Sequence, residues 1–219
     1  MLRASTEAEF AGALPRWGTG IALTLNRVDG THVGIIYRYG GSVLLCHLAG
    51  PFDLRNEPPS PRYFWEKLSL RERRSQILAS YIRLILKYNG SAVPYGFGYD
   101  GTYFDENGRF SRAKEPGVGL NCATFIMALY QSLKIPLLKE DTWTKRSEDV
   151  EARRKLVLEL VSVNPEIDLA ALTPFIEGVR FRPEEVAAAG ISNLQPPITL
   201  NIAEPAGKLL DEFIRSRLK

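Results

Sequence analysis

The sequence predicts an α+β fold on three observations. Apolar residues alternate in short runs before residue 50, two long helical patterns lie between residues 69 and 133, and helical spacing dominates the last third. A chain of 219 residues, 45% of them apolar, can bury a full core.

Taken in order, Thr6 with Glu9 predicts a short capped helix before Pro15. Ile21, Leu23 and Leu25 alternate within Gly18–Asn26, which reads as a strand. Thr31–Tyr37 and Val43–Leu48 read as two more, joined through Gly40-Gly41 as a hairpin. A polar loop is expected through Pro51, Pro58, Pro59 and Pro61. Ser69-Leu70-Arg71-Glu72 resembles a capping box, and Ile77, Leu78, Tyr81, Ile82, Ile85 and Tyr88 keep helical spacing as far as Asn89-Gly90.

A loop rich in glycine and tyrosine runs from Pro94 to about Gly119. Cys122, Phe125, Ile126, Leu129, Tyr130 and Leu133 then share a helix face that ends before Pro136. Further on, Ser147 caps a helix to Val163, Ala170–Ile176 is a shorter one, and Pro183 opens another that Gly190 ends. Ile198–Ile202 reads as a strand and Lys208–Leu218 as a last helix.

Composition narrows the function. The net charge of +3 is mild, and no block of Lys and Arg is interleaved with aromatics, so no nucleic-acid partner is expected. The densest basic run, Arg71-Glu72-Arg73-Arg74, reads as a solvated helix face. The N-terminus carries acids early and shows no secretory signal, and no apolar stretch is long enough for stable membrane insertion. Two cysteines make no disulfide framework, so a cytoplasmic location is expected, with export by a signal-independent system equally compatible.

The chemistry lies in three residues. The two histidines, His32 and His47, fall on the two strands of the predicted hairpin. With a two-residue turn at Gly40-Gly41, paired residue numbers sum to 81, and His47 faces Gly34. That puts the two imidazoles on one sheet face at a diagonal separation of roughly 7 Å. Cys46 points to the other face and is expected to be buried and inert.

Cys122 stands at a helix start, where free N–H groups and the helix dipole favour a thiolate. A thiol with an imidazole base, and a second group to orient that base, form a nucleophile site. Asp100, Asp105 and Glu106 lack ligand spacing, so neither a metal nor another cofactor is expected. Gly96–Asp105 reads either as a mobile lid over the cleft or as an ornament packed by its own aromatics.

These residues also carry a resemblance. Thr31-His32-Val33-Gly34-Ile35-Ile36-Tyr37, with a hairpin ending in His47, resembles the histidine hairpin of the NlpC-type cell-wall peptidases, which have a papain-like fold. Val93-Pro94-Tyr95-Gly96-Phe97-Gly98 is similar to that family's Pro-Tyr-x-x-Gly segment, and Leu120-Asn121-Cys122-Ala123 to its Asp-Cys-Ser-Gly helix. The histidines precede the cysteine, an order that resembles the circularly permuted branch with the relatives of lecithin:retinol acyltransferase. His47-Leu48-Ala49 and Asn121-Cys122-Ala123-Thr124-Phe125 resemble motifs of those acyltransferases.

The resemblance spans residues 18–137. It implies a permuted NlpC-like core over 1–137, with a lid-like insertion at about 98–118 and a mainly helical extension packed on it over 138–219. It implies Cys122 as nucleophile, His32 as base and acid, and His47 as the orienting third member of a triad. Tyr95, Gly96, Phe97 and Asn121 would bind substrate, with Tyr95 either polarising the substrate carbonyl or simply packing under its loop.

The activity implied is that of a cysteine peptidase or amidase acting on peptidoglycan stem peptides. The alternatives are a lipid acyltransferase or thioesterase with the same triad, and an inactive binding module. The partner expected is a peptide or cell-wall fragment. If the protein is delivered into another cell as a toxin, a cognate immunity protein is expected as well.

Overall fold

Gly40 and Gly41 set the register of the sheet. Both have positive φ, +59° and +92°, as the tight turn between β3 (Thr31–Tyr39) and β4 (Ser42–Gly50) requires. Tyr39 pairs with Ser42 and Ile35 with Cys46, the register expected from the sequence. The computed structural model describes residues 2–4, 14, 18–26, 30–112, 118–163 and 169–218. The expected helix after Thr6 lies outside them.

The remaining strands are β1 (Arg3–Ala4), β2 (Thr19–Leu25), β5 (Asp53–Glu57) and β6 (Phe64–Lys67). They form an antiparallel sheet in the order β1-β6-β2-β3-β4-β5. The helices are α1 (Glu72–Asn89), α2 (Cys122–Ser132), α3 (Ser147–Val163), α4 (Leu169–Ile176), α5 (Pro183–Ile191) and α6 (Leu200–Leu218). The chain is α+β. No helix among the described residues is long and apolar enough to cross a membrane.

The sheet has two unequal faces. Val33, Ile35, Tyr37, Cys46 and Leu48 belong to the main core, with α2 packed on β3 and β4. On the other face, Ala22, Ile36, Leu45, Tyr63 and Trp65 form a smaller cluster. α5 packs on β2 and β3, and α6 on β2, so Val186, Ala187, Ala203 and Ile214 join the same main core as the strands. The basic run Arg71–Arg74 is exposed.

Four elements differ from expectation. The proline-rich stretch holds β5 and β6, because β4 and β2 offer hydrogen-bonding edges that composition does not reveal. Ser69 does not cap α1: its hydroxyl donates to the Ile191 carbonyl at 3.0 Å, and Arg71 takes the N-cap position without a side-chain bond. Ile198 makes a single bridge to Leu138 in place of a strand. α6 begins at Leu200 and carries Pro205 inside it, at the loss of one intrahelical N–H bond.

The loop after Pro94 is anchored along residues 98–112. Tyr103 and Phe104 are buried, and Phe104 meets Phe125 of α2 edge to face at 6.1 Å. Tyr81 donates to the Asp105 carbonyl at 2.7 Å, and Asn89 bonds the Gly108 carbonyl and the Phe110 N–H. These contacts pack residues 103–110 against α1 and α2.

Candidate active site

The β3–β4 turn dictates what happens at its far end. Two turn residues make 39/42 an exchanging pair, so 37/44 and 35/46 exchange as well. Val33 is the next residue whose N–H aims at β4, but the paired register stops at Ile35–Cys46. The Val33 N–H lies close enough to the Cys122 sulfur to favour its thiolate. The Cys122 side chain is buried in the main core.

Cys122 is the first residue of α2, and Asn121 is the N-cap. The Asn121 carboxamide oxygen accepts from the Ala123 and Thr124 N–H groups at 3.0 Å each, and Thr124 Oγ1 returns a bond from the Asn121 N–H at 2.8 Å. Asn121 thus spends its side-chain oxygen on the helix rather than on a ligand. The Ala123 N–H also lies against the Cys122 sulfur. Gly96 N–H donates to the Leu120 carbonyl at 3.2 Å, so the Tyr95–Gly98 segment runs beside the approach to α2. Tyr95 packs edge to face on Phe97 at 5.8 Å, and Phe97 is buried with Val157 and Leu172.

The histidines meet directly. His32 Nε2 lies 2.8 Å from His47 Nδ1, and His47 Nε2 lies 3.2 Å from Glu57 Oε1. The carboxylate assigns the protons: His47 donates from Nε2, accepts at Nδ1, and receives the Nε2–H of His32. That leaves the lone pair of His32 Nδ1 outside the relay. Gly34 makes the close fit possible, since a Cβ there would stand 2.9 Å from His47 Cβ and 2.8 Å from Leu45 Cδ1.

By strand alternation the imidazoles lie on the face away from α2, the helix that Cys122 opens. The phenol of Tyr63 joins the two sides. Its ring is 6.3 Å from His32 and 6.0 Å from His47, and its pKa is pushed up first by burial, with Glu57 and the Cys122 thiolate adding to it. Glu184 of α5 accepts from Thr31 Oγ1, one residue before His32.

Glu57 and Tyr63 are the two site residues that the sequence reading missed. A strand assignment for Asp53–Glu57 would have found Glu57, since it lies two residues from Arg55, the cross-strand partner of His47. Cys46 is fully buried, and burial pushes its thiol well up.

Burial sets the resting charge state. It pushes the Cys122 thiol up, against the Val33 and Ala123 N–H groups that favour the thiolate. It pulls His32 down to about 3, with the charges of His47 and Arg55 adding to the effect. His47 is lowered by burial too, and Glu57 partly restores it. Burial thus favours the neutral thiol at Cys122 and neutral imidazoles at His32 and His47.

An acid-stability prediction follows from His32. Between about pH 6.5 and 3 the unfolded chain binds a proton that the folded site refuses. Stability is therefore complete above pH 6.5 and is lost as pH falls, by at most about 1.4 kcal/mol per pH unit for one histidine. Urea unfolding midpoints measured near pH 7 and near pH 4.5 should show the loss, and His32→Gln should reduce it.

Among the described residues no group of three or more His, Cys, Asp and Glu could hold a metal. Compared with known proteins, the chain matches no family model, no curated sequence and no solved structure.

Proposed function

We propose that this protein is a cysteine hydrolase cleaving an amide bond, with Cys122 as nucleophile, His32 as general base and acid, and His47 and Glu57 as the groups that orient His32. The observation that supports the reading is the His32–His47–Glu57 relay, which leaves His32 Nδ1 to take a proton, on the residue before Val33, whose N–H favours the Cys122 thiolate. The fold proposed is the papain-like one in the permuted order that the NlpC-type resemblance implies.

The reaction balances on these groups. The thiol proton passes to His32 Nδ1 as the sulfur attacks the carbonyl carbon, giving a tetrahedral oxyanion. The Tyr63 phenol, kept protonated by burial, is a donor for that oxyanion. Collapse breaks the C–N bond, and His32 returns the proton to the leaving nitrogen. Water then attacks the thioester, its proton goes to His32, the C–S bond breaks, and the thiol is restored.

Peptidoglycan stem peptides are the substrate class proposed, on the NlpC-type resemblance, in the cytoplasm or after signal-independent export. A lipid acyltransferase would use the same relay, and the motifs around His47 and Cys122 favour it as the second reading. Intact-mass spectrometry after brief incubation with muropeptides, and separately with a phospholipid, tests both. A peptidyl mass on Cys122 supports the peptidase, and a fatty acyl mass supports the acyltransferase. No adduct, with the muropeptide left uncleaved, would contradict the hydrolase.

A further inference from the structure

Outside this site, one buried guanidinium stands apart in its partners. Arg146 bonds Asp149, Glu185 and Glu204, Arg182 bonds Asp149 and Glu148, and Arg180 reaches Asp149. Arg153, only 3% exposed, makes no salt bridge among the described residues, with Asp149 acting on it only as a nearby charge. Its Nη atoms donate to the Phe175 and Val179 carbonyls, which accounts for two of its five N–H donors. The acid one turn back on its own helix, Asp149, is held by three other arginines.

This guanidinium lines a cavity of about 320 Å³, walled by Phe97, Tyr99, Phe175 and Phe181, with Glu140 also on its lining. The Arg153 Cζ lies 5.9 Å from the centre of the Phe97 ring. Two glycines leave room for the arrangement. A Cβ at Gly98 would stand 2.8 Å from Phe175, and one at Gly178 3.0 Å from Arg153 Nη1.

We propose that this cavity binds the free carboxylate end of a peptide-like ligand, with Arg153 holding the carboxylate and the aromatic rings taking an apolar side chain. A buried cation bonded only to carbonyls is matched by an anion, and the guanidinium fork suits a carboxylate. Burial and the charge of Arg180 lower Arg153 to about 10, which keeps it cationic at neutral pH. Glu140, on the same lining, provides an acceptor for the ligand's amide N–H.

The cavity also adjoins the proposed site. Phe97 packs on Tyr95, whose backbone bridges Leu120, two residues before Cys122. Arg180, beside the cavity's Val179 and Phe181, is close enough to favour the Cys122 thiolate. Its use as a substrate subsite rests on the hydrolase reading and would place cleavage near a free C-terminus. Binding itself does not depend on that reading.

The test is calorimetry on the Cys122→Ala protein, which cannot turn ligand over, with N-acetylphenylalanine and its carboxamide as probes. The acid should bind at least tenfold more tightly than the amide, and Arg153→Met should erase the difference. Because Arg153 also ties two carbonyls, Arg153→Met is accepted only if its unfolding midpoint is retained. Photo-crosslinking of N-acetyl-p-benzoylphenylalanine to the Cys122→Ala protein supplies a second measurement, with adducts expected in peptides containing Phe97, Phe175 or Phe181. Equal binding of acid and amide, or adducts confined elsewhere, would overturn the proposal. A failure of Cys122 to react with any substrate would instead count against the hydrolase alone.

Discussion

His32→Ala is expected to lower turnover about a thousandfold or more while leaving the protein folded. Burial keeps the Cys122 thiol protonated, so attack depends on a base that takes its proton during the reaction. His47 cannot substitute: its Nδ1 faces the place of the lost ring, its Nε2 is held by Glu57, and it lies almost wholly out of solvent. The truncation leaves one buried acceptor on His47 without a partner, a cost of about 1–3 kcal/mol. Steady-state rates should therefore collapse, with unfolding midpoints shifted only modestly. A rate within tenfold of the wild type would remove His32 from the mechanism.

Arg146→Met is expected to destabilise the fold by about 3–5 kcal/mol. The Arg146 guanidinium is 2.7 Å from Asp149, 2.5 Å from Glu185 and 3.1 Å from Glu204, so it ties the first turn of α3 to α5 and α6. It also donates to the Arg180 carbonyl at 3.1 Å. Asp149 keeps Arg182 and Arg180 as partners, and Glu185 keeps the Trp143 indole at 3.1 Å. Removing Arg146 takes the nearest cation from Glu185, whose side chain is 1% exposed and keeps the Arg182 N–H at 3.1 Å and the Arg182 guanidinium only at 4.0 Å. Since Glu184 and Arg180 on this side border Thr31 and Cys122, activity should fall along with stability. Chemical denaturation with constant slope gives the free-energy change directly.

The sequence made the histidine relay legible because a glycine pair left one register for the hairpin. Once 39 pairs with 42, the shared face of His32 and His47 follows from strand alternation alone. The start of α2 was legible for a similar reason, since Asn121 and Thr124 announce a cap that depends only on neighbours. Glu57 and Tyr63 were not. Asp53-Leu54-Arg55-Asn56-Glu57 is an edge strand with one apolar residue, and its pairing to β4 leaves no mark in its own pattern. Tyr63 precedes a strand inserted between β1 and β2, a contact set by distant sequence. Ser69 shows the converse, a correct local motif overridden by the Ile191 carbonyl 122 residues away.

The face occupied by Cys122 depends on the same kind of distant information. The helix pattern places the thiol at a helix start, but its burial in the main core against β3 and β4 depends on how α2 packs on those strands. The neutral resting state was also hidden, because a helix start favours thiolate and only packing reveals that burial outweighs it.

Activation of the Cys122 thiol by His32 is read from the rate of iodoacetamide alkylation near pH 7, measured by mass spectrometry at each cysteine. In the wild type, Cys122 should react at least tenfold faster than Cys46, which burial keeps protonated and inaccessible. In His32→Ala the Cys122 rate should fall at least tenfold, with Cys46 unchanged. Equal rates at the two cysteines, or a Cys122 rate indifferent to His32→Ala, would contradict the account.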